Sequence, residues 1–334
     1  MKITIKGFIT SKESEKYSDC ADHYAYNTKT NRFAISDGVG RSFFPEIWSQ
    51  ILVDNFVALQ GETELSIEKC QSEWLKQVTQ EATAPDAEWY ITNPFNLQEP
   101  GKATFVSLRF CQEKWFGQAL GDSFLFFVPK ENECFKNWIK LSSKPEPVVF
   151  DNSTDYYSSR GNACGEIKSH EGNLESGTFL LMTDELAKWV FKEKENALKV
   201  VREKWVSQSE FESSVNELRK SQSMEKNDDS AILTIKIETD GDTEFHYECE
   251  NVQDIKYLIE KEQTGQSETI KKDDDFVENV VKKQKNITTI SENLKVLDPT
   301  DQTQAKKEKL SKNTKIFRDK CINFYKNICK TLKI

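Results

Sequence analysis

Nine short runs, four to seven residues long and rich in Ile, Val, Phe and Thr, set the terms on which this chain folds. They fall at 2–8, 23–27, 32–36, 104–110, 115–120, 124–128, 138–141, 178–182 and 231–237. They come in consecutive hairpin-like groups, not singly between helices. The helical stretches are grouped too. Residues 46–59, behind Pro45, and 66–82, behind a Ser-Ile-Glu start, separate the third run from the fourth. Residues 186–194, 197–205 and 209–220 separate the eighth from the ninth. Grouped strands and grouped helices predict an α+β protein, with antiparallel sheets and helices packed outside them, and argue against a doubly wound βαβ sheet.

Charge divides the chain. Residues 251–334 carry 18 Lys and Arg against 13 Asp and Glu, a net of +5, whereas the first 250 carry a net of −14. An acidic body repels phosphates, so nucleic acid is not an expected partner. Three expected regions follow: a domain over 1–245, a polar linker over 246–311 that is partly helical or disordered, and a basic amphipathic helix over 312–334. In that last segment Phe317, Cys321, Phe324, Tyr325, Ile328 and Leu332 recur at helical spacing. It is suited to an acidic protein partner, to an anionic membrane surface, or to packing on the chain's own body. No apolar run approaches the ~20 residues of a membrane span, and MKITIKGFIT alternates like a strand with no apolar signal core. Eight cysteines without a CxxC pair, beside three histidines, argue against a zinc site or disulfide framework and for a reducing, cytoplasmic setting.

The chemistry lies where the apolar runs stop. FAISDGVG ends a strand on Asp37 and turns through Gly38; WFGQALGDS does the same on Asp122, and GTFLLMTDEL on Asp184. NDDSAILTI and DCADHYAY place acids just ahead of a strand, Asp228 and Asp229 in one, Asp19 and Asp22 in the other. Singly, each has an ordinary explanation: an Asx-turn at Asp122, or a helix cap at Asp184. Jointly, carboxylates at the ends of neighbouring strands gather at one sheet edge, where repulsion and lost solvation raise their energy. Cations relieve both costs. With so few histidines the ligands are hard oxygens, which select Mg2+ or Mn2+ over zinc. A pair of such ions can hold a bridging water and aim it at phosphorus.

Taken in order, CADHYAY, FAISDGVG, GKATFVSL, ALGDSFLFF, FLLMTDEL and KNDDSAILTI resemble the motif series of metal-dependent Ser/Thr protein phosphatases of the protein phosphatase 2C type, bacterial members especially, across residues 1–240. The resemblance implies a four-layer α-β-β-α sandwich of two antiparallel sheets flanked by helices, with the site at one edge, followed here by a helical or flexible C-terminal tail. It implies two Mn2+ or Mg2+ ions, with Asp37 bridging both, the Gly38 carbonyl as a ligand, and Asp184 and Asp228 on the first ion. Asp22 takes the place of the catalytic acid that hydrogen-bonds metal-bound water, and Thr104 and Asp122 support the site. The family's phosphate-binding Arg would fall near Tyr17, so the adjacent Lys16 is the candidate to hold a phosphate, as a point charge. The sequence departs from the pattern at Ala21, where the family carries a Glu for the second ion and where Asp19 lies nearby. It departs again at Thr183 for Ser, Glu185 for Gly and Asp229 for Asn. His23 is better read as structural, on a strand face, than as an acid for the leaving group.

The function so implied is metal-dependent hydrolysis of phosphoserine or phosphothreonine on proteins by a metal-bridging hydroxide. The alternative rests on Ala21 and the missing Arg: a catalytically impaired module on the same fold that binds phosphoproteins or a kinase partner. Phe43, Phe44, Trp48 and Phe56 are assigned to the core.

Overall fold

A computed structural model describes residues 1–151, 154–239 and 244–264. Its layers follow from side-chain alternation along the strands. One sheet has six strands in the order β13 (His246–Val252), β1 (Lys2–Thr10), β12 (Ser230–Glu238), β11 (Gly177–Met182), β7 (Phe124–Pro129) and β8 (Ile139–Leu141). The other has five: β10 (Lys168–Asn173), β6 (Lys114–Leu120), β5 (Phe105–Cys111), β3 (Arg32–Asp37) and β2 (Asp22–Asn27). A short ladder pairs β4 (Lys102–Ala103) with β9 (Tyr157–Ser158).

Ile3, Ile5, Phe127, Phe179, Leu233 and Ile235 of the first sheet meet Phe33, Ile35, Val106 and Leu108 of the second in a single core. One residue over, the side chains point outward. Phe8, Phe124, Phe126, Leu180, Met182 and Ile232 pack under α4 (Asp184–Glu193), α5 (Glu195–Glu203) and α6 (Gln208–Lys220). On the opposite side Ala34 and Phe105 pack under α1 (Pro45–Ala58) and α2 (Ile67–Ala82), with Phe43, Trp48 and Phe56 in that core and Phe44 against it. The result is the four-layer α-β-β-α sandwich. The helices start where expected: Pro45 opens α1, and Ser66 and Ser207 accept the N–H groups of Lys69 and Glu210.

The structure differs from the sequence reading in several places. The six-stranded sheet is mixed, because β13 runs parallel to β1. And residues 246–264, expected to begin a linker, form β13 and α7 (Ile255–Thr264) instead. The physical reason is that β1 would otherwise present an open edge, and β13 pairs its backbone groups without needing an apolar sequence. Leu258 of α7 then reaches the core between the sheets, 4% exposed, and the Tyr24 hydroxyl donates to the Gln253 carbonyl. The compact unit therefore takes in the described residues as far as Thr264. The remainder of the expected linker and the expected helix over 312–334 lie outside the described residues. The short α3 (Trp89–Asn96), with Pro94 inside it, was also not anticipated. Among the described residues no helix is long and apolar enough to cross a membrane.

Replacing Leu258 by Ala should lower the unfolding free energy by ~2–5 kcal/mol. A urea titration checks this, since a residue in a solvated linker would change stability by no more than ~0.5 kcal/mol.

Candidate functional site

Strand register brings the acids together. In the five-stranded sheet Asp22, at the start of β2, lies opposite Asp37, at the end of β3. In the six-stranded sheet Met182 pairs with both Ile232 and Phe124. Asp184, just beyond the end of β11, is therefore brought to the side of Asp228 and Asp229, which precede β12, and of Asp122, which precedes β7. These carboxylates act on one another. Burial, then the Asp229 charge, raises Asp22 well above the usual carboxylate range, with a Thr183 hydrogen bond pulling the other way. Burial, then Asp22, Asp184 and Asp122, does the same to Asp37. Asp122 and Asp184 are also raised, burial first. Asp22 is 1% exposed, and its Oδ2 has no hydrogen-bond partner among the described residues.

Thr104 fixes the bridging candidate. Its Oγ1 accepts the Asp37 N–H at 3.1 Å, its own N–H donates to the Asp37 carbonyl at 2.8 Å, and its hydroxyl lies 2.7 Å from that of Ser123. Gly121 holds φ at +107° beneath it, where a Cβ would come within 2.6 Å of the Thr104 side chain. The Gly38 N–H donates to the Ala21 carbonyl at 3.0 Å, and a Cβ on Gly38 would lie 2.9 Å from that of Ala21. Asp122 accepts from the Thr154 hydroxyl at 2.7 Å. His23 is buried with Nδ1 2.9 Å from the Ser49 hydroxyl; burial lowers its pKa to about 4, so it is neutral and held in the core.

Three departures from the family pattern acquire partners. Asp229, where Asn is usual, is 2% exposed and uses both oxygens: Oδ1 accepts the Lys12 N–H and Oδ2 the Ala21 N–H, each at 2.9 Å. Lys12 Nζ lies 3.2 Å from Asp228 and 3.6 Å from Asp229. Burial works against the Lys12 charge, but these two aspartates outweigh it and its pKa is raised. Glu185, where Gly is usual, is fully buried and paired with Lys188, whose Nζ is also 3.1 Å from Asp184. Thr183 accepts the Ala231 N–H at 3.0 Å.

Lys16 and Asp19 are exposed on the loop between β1 and β2, and it is Lys12 of that loop that contacts the carboxylates. Lys188 was legible in the sequence, three and four residues beyond two acids on one helix. Lys12 was not, because its partners lie more than 200 residues away.

The donor set is all oxygen, short of positive charge, and includes an orphaned buried oxygen on Asp22; in those respects it fits a hard divalent cation. As the side chains stand, no group of three His, Cys, Asp or Glu among the described residues is placed to hold an ion. Asp184 and Asp228 are each turned to a lysine.

No family model matches the chain, and no curated protein does. Solved structures do. PppA, described as a key regulatory component of T6SS in Pseudomonas aeruginosa, is similar at 14% identity over 71% of this chain and 98% of its own, with a TM-score of 0.47. The serine/threonine phosphatase Stp1 of Staphylococcus aureus is similar at 13% identity over 70% and 95%, with a TM-score of 0.45. The Mycobacterium tuberculosis serine/threonine phosphatase PstP/Ppp is similar at 11% identity over 71% and 99%, with a TM-score of 0.47.

Two Asp→Asn substitutions at this edge should have opposite signs. Asp229→Asn leaves one backbone N–H facing an amide donor and should cost ~1–3 kcal/mol. Asp37→Asn removes a repelled charge and should stabilise the protein in chelator by ~0.5–2 kcal/mol. Denaturant titrations of both variants at neutral pH, with chelator present, check the pair.

Proposed function

We propose that the chain is a metal-dependent phosphatase acting on phosphoserine or phosphothreonine of proteins in the cytoplasm. The observation that carries this reading is the gathering of Asp22, Asp37, Asp122, Asp184 and Asp228, from the ends of five different elements, at strand ends of both sheets, close enough that the other four act on Asp37. Folding alone gives no reason to gather charges that, together with burial, push the Asp22 and Asp37 carboxyls up. Asp37, the Gly38 carbonyl, Asp184 and Asp228 would hold Mn2+ or Mg2+. Bound there, the metal supplies charge neutralisation at phosphorus and a water acidic enough to attack at neutral pH.

The chain's own groups do the rest. Asp22, with one buried oxygen unpartnered, is suited to accept a hydrogen bond from the attacking water and orient it. Thr104 and Ser123 fix the main chain at Asp37. Lys16, exposed on the adjoining loop, is the candidate to meet the phosphate of the substrate. Cysteines 20, 70, 111, 134, 164 and 249 are unbridged, which fits a reducing compartment.

The second reading, an impaired module that binds phosphoproteins or a kinase partner, draws on the lysines. Lys12 and Lys188 already lie against Asp228 and Asp184, and Ala21 offers no carboxylate. The charge count favours the enzyme. Each carboxylate added relative to the family pattern, Glu185 and Asp229, comes with a lysine beside it, so the pairs Glu185–Lys188 and Asp229–Lys12 add no net charge. The demand for a cation at Asp22 and Asp37, directly opposed across one ladder, is met by neither lysine.

Hydrolysis of a chromogenic aryl phosphate and of a phosphothreonine peptide, with Mn2+, Mg2+ or chelator, tests the proposal. Turnover should need metal and fall at least ~100-fold in Asp37→Asn. Folded protein that turns over neither substrate with either metal, yet binds the phosphopeptide, would establish the second reading instead.

A further inference from the structure

At the other end of β3, ~16 Å from Asp37 by strand rise, the outer face of the five-stranded sheet opens beyond the end of α1 into a cavity of about 350 Å3. Two arginines line it, and they face each other across the ladder: Arg32 on β3 is in register with Arg109 on β5. Like charges directly opposite each other destabilise a sheet. Neither guanidinium has a carboxylate partner among the described residues.

Arg32 is 2% exposed. One terminal nitrogen donates to the carbonyls of Gly61 and Thr63, at 2.8 and 3.0 Å, and the Phe56 ring lies 4.8 Å from the guanidinium carbon. Its Nε is buried without a hydrogen-bond partner. Burial, then the Arg109 charge, lowers its pKa to about 10, which leaves it cationic at neutral pH. Arg109, half-buried, stacks over Phe116 at 4.7 Å. Stacking on a ring restrains a guanidinium while leaving its N–H edge free to donate. Holding the loop at 61–63 accounts for one nitrogen of Arg32. It accounts neither for the buried, unpartnered Nε nor for a second arginine set against the first.

We propose that this pocket is a second phosphoryl-binding site, separate from the aspartate edge, in which Arg32 and Arg109 grip one phosphate group together. The Arg109 fork and the Arg32 N–H groups not spent on the 61–63 loop, with Ser107, Ser169 and Gln118 also lining the cavity, offer more donors than the two oxygens of a carboxylate can use. A phosphate monoester presents three. The exposed rim carries Glu62, Glu64 and Glu171, the last paired with Lys114, which suits a ligand with positive charge beside its phosphate. The group is either that of a small phosphate ester or that of a phosphorylated side chain flanked by basic residues. The site does not depend on hydrolysis at the aspartates.

The test is calorimetric titration of the full-length protein in chelator with inorganic phosphate, with O-phosphoserine and with a phosphothreonine peptide flanked by lysines. Arg109 is the residue to change, because Arg32 also holds a loop. At least one probe should bind the wild type and should bind Arg109→Gln at least tenfold more weakly, while the thermal midpoint of the ligand-free variant stays within a few degrees of wild type. Asp37→Asn should bind as wild type does, which separates this site from the aspartate edge and from the fate of the phosphatase reading. Tighter binding of the peptide than of the two small probes would assign the site to phosphorylated protein; equal binding would assign it to small phosphate esters. The proposal is overturned if no probe binds, if Arg109→Gln binds as tightly as wild type, or if Asp37→Asn abolishes binding.

Discussion

The Asp229 carboxylate ties the two sheets together at the edge where the acids meet. It stands at the head of β12 in one sheet and accepts the main-chain N–H groups of Lys12 and Ala21, which bracket the loop leading into β2 of the other. Ala21 passes the constraint on. Its carbonyl accepts from the Gly38 N–H and from the Ser49 hydroxyl, which joins β3 and α1 to the same point. A side chain with two acceptor oxygens is required, because both face backbone donors that would otherwise be buried unpaired. An Asn there would present one acceptor and one donor. At this position the departure from the family pattern is a fastening of the sandwich as much as a change of charge.

A similar logic governs Glu185. A fully buried carboxylate costs several kcal/mol unless it is paired and hydrogen-bonded, and Glu185 is both, through Lys188 and the Lys226 N–H. Lys188 is only 10% exposed and lies between Glu185 and Asp184, so it cannot leave without stranding a charge. Both acids also lie in the first turn of α4, where the helix dipole favours negative charge. Asp184 is thus stabilised from within its own helix, unlike Asp22 and Asp37.

Most of the nine runs were legible as strands because Ile, Val, Phe and Leu alternate in them between the inter-sheet core and the helical layers; 23–27, His-Tyr-Ala-Tyr-Asn, holds none of the four. Strands β10 and β13 were less legible, for the opposite reason. KSHEGN and HYECENV lie at sheet margins with mostly exposed side chains and contribute main-chain pairing, which leaves no hydrophobic period to read. The aspartates were legible as strand ends, but their company was not. Asp22 opposite Asp37, Lys12 against Asp228 and Arg32 opposite Arg109 are all consequences of register or of long-range closure. Lys188 is the exception, since helical spacing places it beside Asp184 and Glu185.

Ala21 marks where the site differs most from the pattern it resembles, and the packing there is tight. Its methyl group sits where a Cβ on Gly38 would come within 2.9 Å, it is 7% exposed, and both its main-chain groups are engaged. A longer side chain at 21 would have to be accommodated against this contact. What remains without a lysine is informative. Asp228 and Asp229 have Lys12, Asp184 and Glu185 have Lys188, and Asp122 has the Thr154 hydroxyl with the Lys144 charge in reach. Asp22 and Asp37, directly opposed across one ladder, have no lysine among the described residues. The unmet demand for positive charge is therefore concentrated on one pair: a cation arriving at this edge would be drawn first to the Asp22–Asp37 side, whereas Asp184 and Asp228 would each have to turn from a lysine to meet it.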